Sequence, residues 1–154
     1  MIHIPKAEYT RRRKALMAQM EPNSIAILPA AAVAIRNRDV EHVYRQDSDF
    51  QYLSGFPEPQ AVIVLMPGRI HGEYVLFCRE RNAERELWDG LRAGTEGAIR
   101  EYGADEGIPN SDIMNIMHDR SEDRERVYWA MGNNAEYDRR LMEWISVIRA
   151  KTHL

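Results

Sequence analysis

Apolar positions along the chain follow two rhythms, one helical and one extended. Tyr9, Leu16 and Met20 fall on one helical face, with Pro5 where a first-turn proline is tolerated. Arg11, Arg12 and Arg13 lie mostly on the other face, and Glu21-Pro22-Asn23 stops the helix. Residues 24–29 then read as a short buried strand, and residues 30–47 as irregular and rich in charge. Phe50-Gln51-Tyr52-Leu53 alternates as a strand, followed by a turn at Gly55, Pro57 and Pro59. Apolar runs at 61–66 and 73–78, joined by 67–72, predict an antiparallel hairpin.

The segment RERNAERELWDGLRAGTEGAIREYG changes the character of the chain to heavily charged, with Asp89-Gly90 marking a tight turn after Trp88. Thr95 is a fair N-cap for a short helix ending at Gly103. Ser111 caps a second short helix carrying Ile113, Met114, Ile116 and Met117, and 127–131 is another strand. Asn133 and Glu136 form an Asn-type capping box. They open the clearest amphipathic helix, with Tyr137, Leu141, Trp144, Ile145 and Ile148 on one face. The order of elements predicts one α/β domain, a mixed β-sheet flanked by helices. Residues 149–154 trail off this helix without a terminating residue, as though the sequence continued.

Composition narrows the function classes. A chain of 154 residues, 44% hydrophobic and 29% charged, fits one soluble domain with a real core. Twenty-one basic against 24 acidic residues give a net charge of -3, with no basic excess to invite nucleic acid or an anionic membrane. Lys6 and Arg11-Arg12-Arg13 sit within an amphipathic pattern and not before an apolar one, so no signal peptide is expected. No apolar run approaches the roughly 20 residues that span a bilayer. A cytoplasmic protein is the expectation. The single cysteine, Cys78, allows no internal disulfide and no multi-cysteine zinc site, and reads as a buried strand thiol.

Catalytic signatures are sparse. None of His3, His42, His71, His118 and His153 has a second histidine at helical spacing, and neither a Gly-rich phosphate loop nor a Gly-x-Ser-x-Gly elbow is present. Asp39, Glu41, Asp47 and Asp49 could hold a divalent cation if they converged. Arg36, Arg38 and Arg45 are at hand to neutralise them, and loop carboxylates are usually solvated. The expectation is a chain that binds no metal or cofactor itself. The polar run Arg45-Gln46-Asp47-Ser48-Asp49 beside a core strand reads as a lock that satisfies buried backbone at the turn.

YRQDSDFQYLSGFPEPQAVIVL, residues 44–65, resembles the N-terminal domain of bacterial Xaa-Pro aminopeptidase (aminopeptidase P) and its creatinase and prolidase relatives. The family pattern is Tyr-Arg-Gln-(Asp/Asn)-Ser-Asp-Phe, then an aromatic residue, Gly-Phe and an acidic-proline turn, filled here by Tyr44 through Pro59. YTRRRKALMAQM resembles the opening helix and VLFCRERNAERELWDGLRAG the segment after the hairpin, so essentially the whole chain is covered.

The resemblance implies a creatinase N-terminal-domain-like fold of ribonuclease H-like architecture. It also implies that residues 1–154 are a non-catalytic domain, inactive alone, whose partners are its own C-terminal catalytic domain and neighbouring subunits. Family enzymes remove an N-terminal residue when proline follows it. They use two metal ions, usually manganese, held by two Asp, one His and two Glu in a C-terminal "pita-bread" domain absent from this chain. In family oligomers a tryptophan on a loop resembling Glu86-Leu87-Trp88-Asp89-Gly90 walls a neighbouring subunit's site, and here it would be Trp88. An acidic residue near the same mouth would be Asp39. Trp88 could instead be a core residue, and Asp39 a solvated carboxylate with a local arginine. Two other readings remain: a stand-alone module that binds a peptide or protein, and a nuclease. The second has only fold analogy behind it, and a fold does not carry a function.

Overall fold

Two short runs, Val62–Leu65 (β2) and Tyr74–Cys78 (β3), are buried at every position, which happens to a strand only when both faces of its sheet are covered. The structure, a computed structural model, describes residues 3–33, 44–120, 124–132 and 134–152. Strands Ser24–Pro29 (β1), β2, β3, Glu106–Pro109 (β4) and Arg126–Trp129 (β5) form one sheet in the order β4-β3-β2-β1-β5. β2 pairs antiparallel with β1 and with β3, while β4 and β5 add parallel edges, so the sheet is mixed as expected. Register sets Ile27 beside Val64, Ile63 beside Leu76 and Phe77 beside Ile108.

Alternation sorts the strand side chains into two cores. Ile63, Leu65, Tyr74, Leu76 and Cys78 face one side. There they meet helices Lys6–Gln19 (α1), Ser48–Ser54 (α2) and Gly94–Arg100 (α4), through Leu16, Phe50, Leu53 and Ala98. Val62, Val64, Val75 and Phe77 face the other side. There they meet Ile113–Arg120 (α5) and Ala135–Thr152 (α6) through Ile113, Met117, Leu141 and Trp144. The result is a three-layer α/β/α domain. A seven-residue helix, Ala83–Asp89 (α3), stands apart from both layers, carrying exposed Leu87 and Trp88.

Several expected elements differ. Residues 50–53 are not a strand but the middle of α2, because Asp47 caps a helix there and burial falls on Phe50, Leu53 and Ser54. Arg13 faces the core at 3% exposure and not the solvent. The helix at 94 has Ala93 at its N-cap without a side-chain cap, so Thr95 lies inside it. Ser111 sits in a 3-10 turn, Asn110–Asp112, again without a side-chain cap. Helix α6 is capped by Asn134, whose Oδ1 accepts Tyr137 N–H at 3.3 Å; Asn133 lies outside the described residues. β4 had no counterpart among the elements expected from the sequence.

Pairing directions bring one end of the sheet to the fore. The C-terminal ends of β1, β3, β4 and β5 and the N-terminal end of β2 lie together. From that end leave the segments that begin at Ala30, Arg79 and Asn110.

Candidate functional site

The polar run ahead of α2 is built as a lock. Gln46 Oε1 accepts the backbone N–H groups of Ala31 and Asp47, each at 3.0 Å. Its Nε2 donates to Phe56 O at 3.1 Å and Glu58 O at 2.9 Å. One amide side chain thus joins the chain leaving β1, the start of α2 and the turn before β2. Tyr44 Oη donates to Ala31 O at 2.6 Å, and burial pushes its phenol up to about 12. Asp47 Oδ2 accepts Phe50 N–H at 3.0 Å, closing the first turn of α2. Ser54 Oγ donates to Phe50 O at 2.7 Å and accepts Phe56 N–H at 3.0 Å. Gly55 ends α2 at φ 66. The Tyr9 ring packs so closely there that a Cβ would lie 2.5 Å from its Cζ, which leaves glycine as the fitting residue.

The lock extends through Glu58. Its Oε2 accepts Ala93 N–H at 2.8 Å, and its Oε1 lies 3.3 Å from Arg79 Nη2. Arg79 and Ala93 are the two ends of the excursion that carries α3. Within it, Asn82 Oδ1 accepts Arg85 N–H at 3.1 Å and starts the helix. Gly90 ends it at φ 94, its N–H donating to Glu86 O at 3.1 Å. Glu86 turns inward: its side chain is 4% exposed, and hydrogen bonds from Arg92 N–H and Asn82 N–H hold its carboxyl below the ordinary carboxylate range. Leu87, Trp88 and Leu91 turn outward at 84%, 86% and 84% exposure.

Trp88 is therefore no core residue. It sits in the last turn of α3 and not on a loop, and it is solvent-facing with apolar neighbours. The indole of Trp88 offers no acid, base or nucleophile; with its apolar neighbours it can wall an apolar or peptide-binding site or pack on another surface. Asp39, Glu41, Arg36 and Arg38 lie outside the described residues. Of the four carboxylates suggested for a cation, Asp47 caps α2 and Asp49 lies in its exposed first turn. Among the described residues no three His, Cys, Asp or Glu side chains gather as metal ligands do. Cys78 is buried in β3, and burial pushes its thiol up to about 12, the opposite of an activated nucleophile. At the same sheet end an open cleft is lined by Ala32, Gln60, Asn110, Asn134 and Tyr137.

Sequence reasoning missed Glu58 and Glu86 as braces of the Trp88 tip. Glu86 had a local signal, an Asn four residues ahead of a Glu at the start of a charged helix. Glu58 had none beyond its place in the turn.

Comparison with known proteins gives this geometry a setting. Residues 9–128 match the aminopeptidase P N-terminal domain family. Over 139 residues the chain is 40% identical to the Xaa-Pro aminopeptidase of Escherichia coli (strain K12), covering 90% of this chain and 32% of that protein. Human Xaa-Pro aminopeptidase 3 is 29% identical over 163 residues, covering 97% and 32%. Among solved structures, Pseudomonas aeruginosa aminopeptidase PepP matches with TM-score 0.93 and 72% identity, over 99% of this chain and 35% of that one. A zinc-substituted Escherichia coli aminopeptidase P in complex with product matches with TM-score 0.91 and 35% identity, over 99% and 35%. The chain spans about a third of the length of these relatives.

Proposed function

Because the chain belongs to the aminopeptidase P N-terminal domain family, we propose that it is the non-catalytic part of a longer Xaa-Pro aminopeptidase. The whole protein removes the N-terminal residue of a peptide when proline follows it. The metal pair, manganese in this reading, belongs to a C-terminal domain beyond this chain. Held there by two Asp, one His and two Glu, it would supply an activated water and a polarised scissile carbonyl. The described residues present no ligand set that fits such a pair.

This domain contributes shape. In an oligomer of the whole protein, Trp88 walls the site of a neighbouring subunit, and Asp39 lies near the same mouth. The observation that supports the reading is the braced, outward-facing Trp88, flanked by exposed Leu87 and Leu91. Large apolar side chains grouped on a held tip are best explained by burial against a partner or ligand. The described residues that flank Asp39 in sequence are Val33 and Tyr44, and Tyr44 Oη bonds Ala31 O just beyond the C-terminal end of β1. The same reading places the protein in the cytoplasm; no helix among the described residues is long and apolar enough to cross a membrane. A stand-alone peptide-binding module would use the same tip without any attached catalytic domain.

The test is hydrolysis of an Arg-Pro-Pro-type peptide with excess manganese. The whole protein should release the N-terminal residue, and the 154-residue chain alone should not. In the whole protein Trp88→Ala should lower kcat/KM for longer peptides with metal content unchanged. Cleavage by the chain alone, or an unchanged kcat/KM in the Trp88 variant, would overturn the corresponding part. Peptide binding by the chain alone, with no activity in the whole protein, would favour the module.

A further inference from the structure

We infer that Glu86 is the positioning residue of the Trp88 tip: its one carboxylate ties the entry of α3 at Asn82 to its exit at Arg92 and so sets where Trp88 points. The inference rests on the reading of Trp88 as a site wall. The geometry itself is independent of that reading. Glu86 Oε2 accepts Asn82 N–H at 2.9 Å, and Oε1 accepts Arg92 N–H at 2.8 Å. Asn82 precedes α3 and Arg92 follows its Gly90 cap, so the carboxylate bridges entry and exit of the helix. Arg81 Nε also lies 2.8 Å from Oε1. That arginine is 63% exposed, so its pairing is screened and adds little. The two backbone bonds are directional and sheltered, and they carry the constraint.

A seven-residue helix needs such a constraint. So short a helix is marginal on its own, because nucleation costs several fixed dihedrals per hydrogen bond gained. α3 also buries little: Leu87 and Trp88 face solvent, as does Leu91 just beyond it, so core packing does not hold it. Its order comes from the Asn82 cap, from Glu86 and from the neighbouring Glu58–Ala93 bond. These ties link to the lock ahead of α2, since Gln46 holds the carbonyl of Glu58. Hydrogen bonds thus run from Gln46 through Glu58 to Ala93 and, one peptide link away, from Arg92 to Glu86, two residues before Trp88. Glu86 touches no reacting atom in this scheme; it acts through Trp88.

Two measurements test it. In the whole protein, Trp88→Ala, Glu86→Gln and the double variant are compared on short and longer Xaa-Pro peptides. The glutamine keeps the shape but offers only one acceptor oxygen to two amides. Glu86→Gln should lower kcat/KM for longer peptides by roughly ten- to a hundredfold, and the double variant should fall no further than Trp88→Ala. Full additivity, or no effect of Glu86→Gln where Trp88→Ala has one, would overturn the inference. If Trp88→Ala itself costs nothing, the wall reading fails, and the second measurement decides the role of Glu86 alone. There the 154-residue chain carries 5-fluorotryptophan at Trp88, Trp129 and Trp144. Glu86→Gln should narrow the Trp88 fluorine resonance and move it toward the free amino acid, while the other two stay in place. An unmoved Trp88 signal would overturn the inference. So would loss of all three native positions together, because Glu86 would then hold the domain and not the tip.

Discussion

The guanidinium carbon of Arg13 lies 4.1 Å from the centroid of the Tyr74 ring, which joins α1 to β3 through a cation held in the core. Arg13 Nη1 donates to Leu53 O at 2.9 Å, near the end of α2, and Nη2 donates to Thr10 Oγ1 at 3.2 Å. Burial lowers the pKa of Arg13, while Tyr74 and Asp105 act in the opposite direction.

Removing this cation exposes what it supports. Arg13→Met should destabilise the chain by about 2–4 kcal/mol, combining a lost cation–π contact with an unpaired, buried Leu53 carbonyl. Arg13→Lys keeps the charge but not the planar fork, and should cost less. Urea unfolding reads both as a lowered midpoint at unchanged slope. A midpoint for Arg13→Met within error of the parent would show that the contact contributes nothing net.

Gln46 should be intolerant of a change that looks conservative. In Gln46→Glu the Nε2 donor becomes an acceptor facing the carbonyls of Phe56 and Glu58. Two carbonyls then lose their donor and meet a like partial charge, for a cost of about 2–3 kcal/mol near neutral pH. Protonating the new carboxyl restores a donor, so the deficit should shrink in acid. Thermal melts of parent and variant, compared near neutrality and near pH ~4, check both the size and the pH trend.

Much of this architecture was legible in the sequence. β2 and β3 were, because continuous apolar runs mark strands covered on both faces. Part of the polar lock was too: Gln46 and Asp47 satisfy backbone groups as a polar run beside a core strand suggests, whereas Arg45, Ser48 and Asp49 of the same run face solvent. α2 was not, since Phe50 and Tyr52 mimic a period of two while the burial falls on Phe50 and Leu53. β4 was hidden because only Ile108 of its four residues is buried and Pro109 ends it at a sheet edge. At the tip, the charged flanks of Trp88 pointed to exposure. Of the Glu86 bridge only the local half, to Asn82 four residues ahead, had a signal; the other partner is the Arg92 amide, whose position depends on how the chain returns after Gly90. Side-chain pattern carries no record of that.

Cys78 gives a pH dependence with a definite sign. Burial raises its thiol from the ordinary value of about 8.5 to about 12 in the folded chain. The unfolded chain therefore releases this proton first. The stability tied to the neutral thiol is complete below about 8.5 and is lost as pH rises toward about 12, at up to ~1.4 kcal/mol per pH unit. Between about pH 8 and about pH 9, below the range where ordinary tyrosines titrate, the urea midpoint should fall for the parent and fall less for Cys78→Ala. The native thiol should also resist an aromatic disulfide reagent and react on unfolding. Equal slopes for the two chains, together with rapid native labelling, would mean that the thiol is not buried.

Trp88 and Trp144 should separate cleanly under the same substitution. Trp144 is 3% exposed and packs in the core between the sheet and α6. Trp144→Ala should cost about 3–5 kcal/mol. Trp88 is 86% exposed, and Trp88→Ala should cost under about 1 kcal/mol, as surface changes do. Fluorescence gives an independent check. Acrylamide should reach Trp88 far more readily than Trp144, so the Trp88→Ala chain should lose the most quenchable part of the emission. If Trp88→Ala instead lowered the urea midpoint as far as Trp144→Ala, Trp88 would be serving the fold. The tip could then not be regarded as a surface kept free for contact.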